Sequence, residues 1–153
     1  MIVADSTTVV GLSLIRSAGL IGKLLGIVTI SEATMREVKG TLAALDPDCP
    51  LPGEDVVKVA PIDVTGGALS TSESETIELG RQTEAVVLLS DDPVVRAEAQ
   101  TYGMSSIGTI GVLYAAHARK LVPDVEEPLR KLREAGWAVS PSCEEVLRKR
   151  AKA

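Results

Sequence analysis

Six acidic residues in this chain stand where carboxylates do chemistry rather than wet a surface: Asp5, Glu37, Glu73, Glu75, Asp91 and Asp92. Asp5 closes Ile2-Val-Ala, a short strand-like run. Asp91 and Asp92 close Ala85-Val-Val-Leu-Leu-Ser90, which is β-branched and continuously apolar, as a strand buried on both faces should be. The carboxyl ends of parallel strands are where open sheets hold ligands. Glu73 and Glu75 open a helix between those two strands, and Glu37 lies on an earlier one. Carboxylates gathered in this way repel one another and gain nothing by stability alone. A hard divalent ion such as Mg²⁺ or Mn²⁺, which takes oxygen ligands, resolves the repulsion. Ions so held activate a water and stabilise the charge of an in-line attack on phosphorus. Acyl transfer fits less well, because neither a G-x-S-x-G segment nor a Cys/His pair supplies a nucleophile.

Each acid also has a bland explanation. Asp5 could cap the helix after it, although a carboxylate ending a buried strand has little structural use. Glu37 sits near the apolar boundary of its helix and reads equally well as ligand or as solvated residue. Ser72-x-x-Glu75 fits a capping box, and Ser70-x-x-Glu73 would fit one if the helix began two residues earlier. The buried pattern of Ile77, Leu79 and Gly80 favours the later start, which gives Glu75 the structural job and frees Glu73. Asp92 precedes Pro93 and so suits an N-cap, alone or while also binding through a water. Asp91 has no comparable task and is the better ligand. The expected metal anchors are therefore Asp5, Glu73 and Asp91, with Asp92 and Glu75 able to contribute. Ser6 and Ser90 adjoin candidate acids and are expected to orient them by hydrogen bonds. The lone His117 has no partner at ligand spacing, so no metal role is expected for it.

Strands are expected at 2–5, 27–30, 56–60, 85–90 and 105–107. Helices are expected at 9–17 (capped within Ser6–Thr8), 20–25, 32–44 (capped by Ser31), 72–81, 93–102, 109–120 (capped by Thr109), 125–135 and 143–151. Strands alternating with helices imply an α/β fold, a three-layer α/β/α sandwich around a mostly parallel central sheet. The 153 residues read as a single domain, 1–153, with a helical C-terminal region from about 119. The proline-rich loop Asp46–Gly53 is the expected site of mobility.

Composition narrows the function. The chain is 45% hydrophobic and 24% charged, with net charge −5. Residues 1–118 carry 15 acids against 7 bases, and residues 119–153 carry 6 against 9. An acidic body opposes non-specific nucleic-acid binding unless cations occupy it. Tyr102, Tyr114 and Trp137 are the only aromatics, too few for a base-stacking platform. No transmembrane or signal segment is evident, and Cys49 and Cys143 read as free thiols, so a cytoplasmic protein without membrane contact is expected.

Four features together resemble the PIN domain, in the branch of small VapC-like prokaryotic proteins. They are Asp5-Ser6 ending strand one, Glu37-Val38 on an early helix, Ser72-Glu73-x-Glu75-x-Ile77 opening a middle helix, and Leu89-Ser-Asp-Asp-x-x-x-Arg96. The later Ile107-Gly-Thr-Ile-Gly-Val-Leu113 fits the same branch, and the similarity spans nearly the whole chain. The resemblance implies a Mg²⁺- or Mn²⁺-dependent endoribonuclease with Asp5, Glu37, Glu73 and Asp91 as its catalytic quartet. It further implies an RNA substrate, an antitoxin protein as partner and a homodimer. Arg96 is the expected contact to the scissile phosphate. The third acid is Glu where many toxins have Asp, and Ser90 stands where Thr is usual. The rival expectation is a PIN-like scaffold whose acids are inactive and which acts by binding protein or nucleic acid. A phosphatase or receiver domain fits worse, since Thr7 stands where the first would need an acid and Gly108-Thr109 where the second would need a lysine.

Overall fold

Five short strands form one parallel sheet in the structure, a computed structural model that describes residues 1–62 and 72–137. The strands are β1 (Ile2–Ala4), β2 (Val28–Ser31), β3 (Val57–Ala60), β4 (Val87–Leu89) and β5 (Ser105–Ile107), in the spatial order β3-β2-β1-β4-β5. Parallel pairing needs a crossover between successive strands. The described helices that supply them are α1 (Ser6–Leu14), α2 (Gly19–Leu25), α3 (Glu32–Leu45), α4 (Ser72–Gln82) and α5 (Pro93–Thr101). After β5 come α6 (Thr109–Ala118) and α7 (Glu126–Glu134). The expected α/β/α sandwich is the fold observed.

Alternation along the strands divides the core in two. On β1, Val3 packs with Ile77, Leu79, Leu88, Val95, Ala99 and Met104, beneath α4 and α5. Its neighbour Ala4 faces the other way, with Leu89, Val28 and Ile30, into a larger cluster closed by Val9, Leu12, Val38, Leu113, Leu129 and Leu132. Strand β1 is covered on both sides, and Val3 and Ala4 are wholly buried.

Register places the acids. Ala4 pairs with Leu89, so Asp5, the next residue on one strand, and Asp91, two residues on along the other, leave the same edge of adjacent strands. The chain winds from β1 toward β3 on one side and from β4 toward β5 on the other. The β1/β4 boundary is thus the point where strand order reverses, the crevice where such sheets bind ligands.

Several boundaries differ from expectation. Helix α1 starts at Ser6 rather than Val9, because Asp5 is its N-cap and accepts from the backbone N–H of Thr7. Thr109 is already helical, with Gly108 at the cap position of α6. Strand β4 is shorter than the apolar run around it, Val86 being exposed before the ladder begins. Ser31 caps α3 and Asp92 caps α5 with Pro93 in its first turn, both as expected. The expected helix 143–151 lies outside the described residues, as does Cys143. No helix among the described residues is long and apolar enough to cross a membrane.

Candidate active site

Asp5 leaves β1 into the sheet edge and is only 2% exposed. Its Oδ1 accepts from the Thr7 backbone N–H at 3.0 Å and from Thr7 Oγ1 at 2.6 Å, and its Oδ2 accepts from Ser90 Oγ. These bonds favour the ionised form, but burial outweighs them. The carboxyl is raised to about 6, with a small further push from Asp91. Ser90, itself fully buried, also accepts from the Asp92 N–H at 3.0 Å. Ser90 therefore orients Asp5 as the sequence predicted. Ser6 is buried in the first turn of α1, and the neighbouring hydroxyl that reaches Asp5 belongs to Thr7 instead.

Asp91 departs from the sequence expectation, because it does have structural work. Its Oδ1 accepts from the Thr109 N–H at 2.5 Å and its Oδ2 from Thr109 Oγ1 at 2.6 Å. It caps α6 from across the sheet edge, supplying the acceptor that Gly108 lacks. A carboxylate offers about four lone-pair sites, so two bonds leave room for a ligand. Gly108 allows the approach: a Cβ there would run into the Asp91 carboxylate. Thr7 joins the two strand-end acids, since the hydroxyl that donates to Asp5 accepts from the Asp91 N–H at 2.7 Å.

A second group of acids lies beside the first. Glu37 is exposed on α3 and accepts from Ser72 Oγ at the start of α4. Glu73 is the next residue on α4, and its carboxyl is raised by burial, by the charge of Asp92 and a hydrogen bond to it, and by the charges of Glu37 and Glu98. Asp92 caps α5 through Val94 N–H at 2.8 Å. The expected Ser72–Glu75 capping box does not match the helix: Ser72 is already inside α4, and Glu75 Oε2 is shielded with no hydrogen-bond partner. Arg96, one turn into α5, donates from Nε to Ser106 Oγ at 3.1 Å. His117 lies away from the acids, its Nδ1 paired with the Val122 carbonyl at 3.3 Å.

Sequence reasoning missed Thr7, Ser72 and Thr109. Thr7 had a signal, since an acid two residues before a Thr at a helix start is the spacing of a side-chain turn. The other two had none, because their partners are 35 and 18 residues distant.

The donor chemistry fits a hard divalent ion. Asp5, Glu37, Glu73, Asp91 and Asp92 are all oxygen donors, and no ion pair among the described residues includes any of them. Two carboxyls are pushed toward their neutral forms, which is the cost a cation would relieve. Among the described residues, no three potential ligands converge as the side chains stand.

One test of the packing behind this edge follows from Gly11 in α1. A Cβ there would come within 2.7 Å of Trp137 Nε1 and 2.9 Å of Thr109 Oγ1. Gly11→Ala is expected to lower stability by about 1–3 kcal/mol, although alanine is the better helix former. Thermal unfolding at an unchanged or raised midpoint would rule this out.

A family model described as a PIN domain matches residues 1–153. No curated protein and no solved structure matches the chain.

Proposed function

We propose that this chain, which belongs to the PIN-domain family, a family of nuclease type, is a Mg²⁺- or Mn²⁺-dependent endoribonuclease and the toxin of a toxin–antitoxin pair. The observation that carries the catalytic part is the pair of strand-end acids at the β1/β4 switch point, Asp5 and Asp91, linked through the Thr7 hydroxyl. An antitoxin partner and a homodimer follow from the family resemblance and belong to the same proposal.

Asp5 and Asp91 would hold the metal, Glu73 and Asp92 would complete its oxygen shell, and Glu37 would serve as ligand or orient a water. When bound, the ion supplies an activated water and charge stabilisation at phosphorus. The chain supplies the rest. Thr7 and Ser90 fix the Asp5 carboxylate in one rotamer, and Thr109 does the same for Asp91. Their orientation is therefore set before any ligand arrives, which spares the reorganisation cost at the moment of reaction. Glu73 is exposed beside Asp92 and Glu37, which places its carboxylate to complete that oxygen shell. Arg96 commits its Nε to Ser106, which orients the guanidinium for a backbone phosphate.

The test is cleavage of a mixed pool of structured RNA with Mn²⁺, wild type beside Glu73→Gln, with a chelator control. Glu73→Gln is the cleaner probe than Asp91→Asn, since Asp91 also holds the first turn of α6 through Thr109. A loss of about 100-fold in rate is expected, with an unfolding midpoint no lower than that of wild type, because the charge removed is repelled by Asp92, Glu37 and Glu98. Equal cleavage by the variant, or cleavage that survives the chelator, would sink the assignment. The second reading is an inactive scaffold, and the acids' failure to converge in threes among the described residues favours it. Absence of saturable Mn²⁺ binding at millimolar concentration would move that reading ahead.

A further inference from the structure

A polar system outside the acids lies between α3 and α4. Thr34 and Thr76 are both fully buried (0% exposed), and their hydroxyls meet at 3.1 Å across 42 residues of sequence. Valine would fill the same space without carrying a buried hydroxyl that must be satisfied. The hydroxyls are satisfied, and in one direction only. Ser31 Oγ donates to Thr34 Oγ1 at 2.9 Å, and Thr76 Oγ1 donates to the Ser72 carbonyl at 2.8 Å. A hydroxyl has a single proton to give, so the remaining bond must run from Thr34 to Thr76. The chain thus passes from the N-cap of α3 to the first turn of α4.

Both ends of that chain lie beside acids. Glu37 is three residues after Thr34 on α3, and Glu73 is three residues before Thr76 on α4. Residues at that spacing share a helix side. The Ser72 hydroxyl, on the residue whose carbonyl Thr76 binds, donates to Glu37.

The geometry points to Thr34 and Thr76 as positioning residues that lock α4 against α3 in the one register that brings Glu37 and Glu73 to the same edge. The inference rests on the nuclease reading only in assigning those acids to a metal. Packing alone would hold the two helices together, but apolar contacts tolerate sliding that a directed hydrogen bond does not. Residues that orient ligands from behind typically change metal affinity by about 10–100-fold when lost.

The experiment compares wild type, Thr76→Val, Thr34→Val and Thr76→Ser. In metal-free protein the carboxyl ¹³C resonances of Glu37 and Glu73 are recorded, and Mn²⁺ binding is then measured by calorimetry below the unfolding range. Both valine variants are expected to shift the two resonances and weaken Mn²⁺ binding by about tenfold, and Thr76→Ser to restore both. The double variant is expected to lose less than the sum of the two single ones, because both break the shared Thr34–Thr76 bond. Resonances unchanged in Thr76→Val would overturn the positioning role, as would failure of the serine variant to restore them. If wild type binds no Mn²⁺, the metal reading fails while the resonances still decide the positioning. Should Thr76→Val fold poorly, Thr76→Ala carries the same comparison.

Discussion

Asp5→Asn is expected to make the protein more stable at pH 8 and about 1,000-fold less active. The carboxyl of Asp5 is raised from 3.8 to about 6 in the folded state, chiefly by burial. A folded-state pKa above the unfolded one means that the folded chain binds the proton more tightly. Stability is then greatest below about pH 4 and declines as pH rises through about 6, where the buried carboxyl ionises. The full cost above that range is about 3 kcal/mol, from a shift of about two pH units at about 1.4 kcal/mol each. Asparagine does not titrate and keeps the acceptor for Thr7. It does take from Ser90 the acceptor of its proton, at a cost of about 1 kcal/mol. The variant should therefore gain about 2 kcal/mol at pH 8, and the two stability curves should cross between about pH 4 and 5. Urea unfolding from pH 4 to 8 with a chelator present reads this directly. Curves that stay parallel would show that Asp5 does not titrate in this window. Adding Mn²⁺ should narrow the gap at pH 8 by stabilising wild type alone. A residue that costs stability in place and is required for activity is the pattern expected of a functional carboxylate.

Asp91 is expected to behave in the opposite sense. Asp91→Ala removes both acceptors from Thr109 and leaves the first turn of α6 uncapped, with Gly108 offering no side chain in their place. The loss should be about 2 kcal/mol, combining a lost cap with a stranded N–H. Asp91→Asn keeps the acceptor for the Thr109 N–H, and the Thr109 hydroxyl can turn to accept from the new amide. Its cost should be below about 1 kcal/mol, yet it removes the negative charge a cation needs. Cleavage should be lost in both variants while the unfolding midpoint falls chiefly in the alanine one. Equal midpoints for wild type and Asp91→Ala would show that α6 does not depend on this contact. Active Asp91→Asn would remove Asp91 from the metal site and leave it a cap. The two acids at one sheet edge thus divide their roles by environment, Asp5 desolvated and Asp91 engaged by a helix terminus.

Much of this architecture is written locally in the chain. The strand 105–107 appears at its predicted bounds, Ser31 and Asp92 cap the helices predicted for them, and Gly103 and Gly136 stand just beyond helix ends at φ 79° and 81°. Those features depend on residues a few positions apart, where propensity, capping and backbone freedom act without help from the rest of the fold. The acids at strand ends were legible for the same reason, since a carboxylate closing an apolar run is a local pattern. What the acids do was not. Asp91 looked unemployed until Thr109 arrived from 18 residues on, Glu37 looked solvated until Ser72 arrived from 35, and Ser90 reaches Asp5 across 85. Thr34 and Thr76 are 42 residues apart, and only the packing of α3 on α4 makes them a pair. A hydrogen bond between distant residues leaves no trace in the spacing of either, because its partner is chosen by the register of the sheet and the seating of the helices upon it.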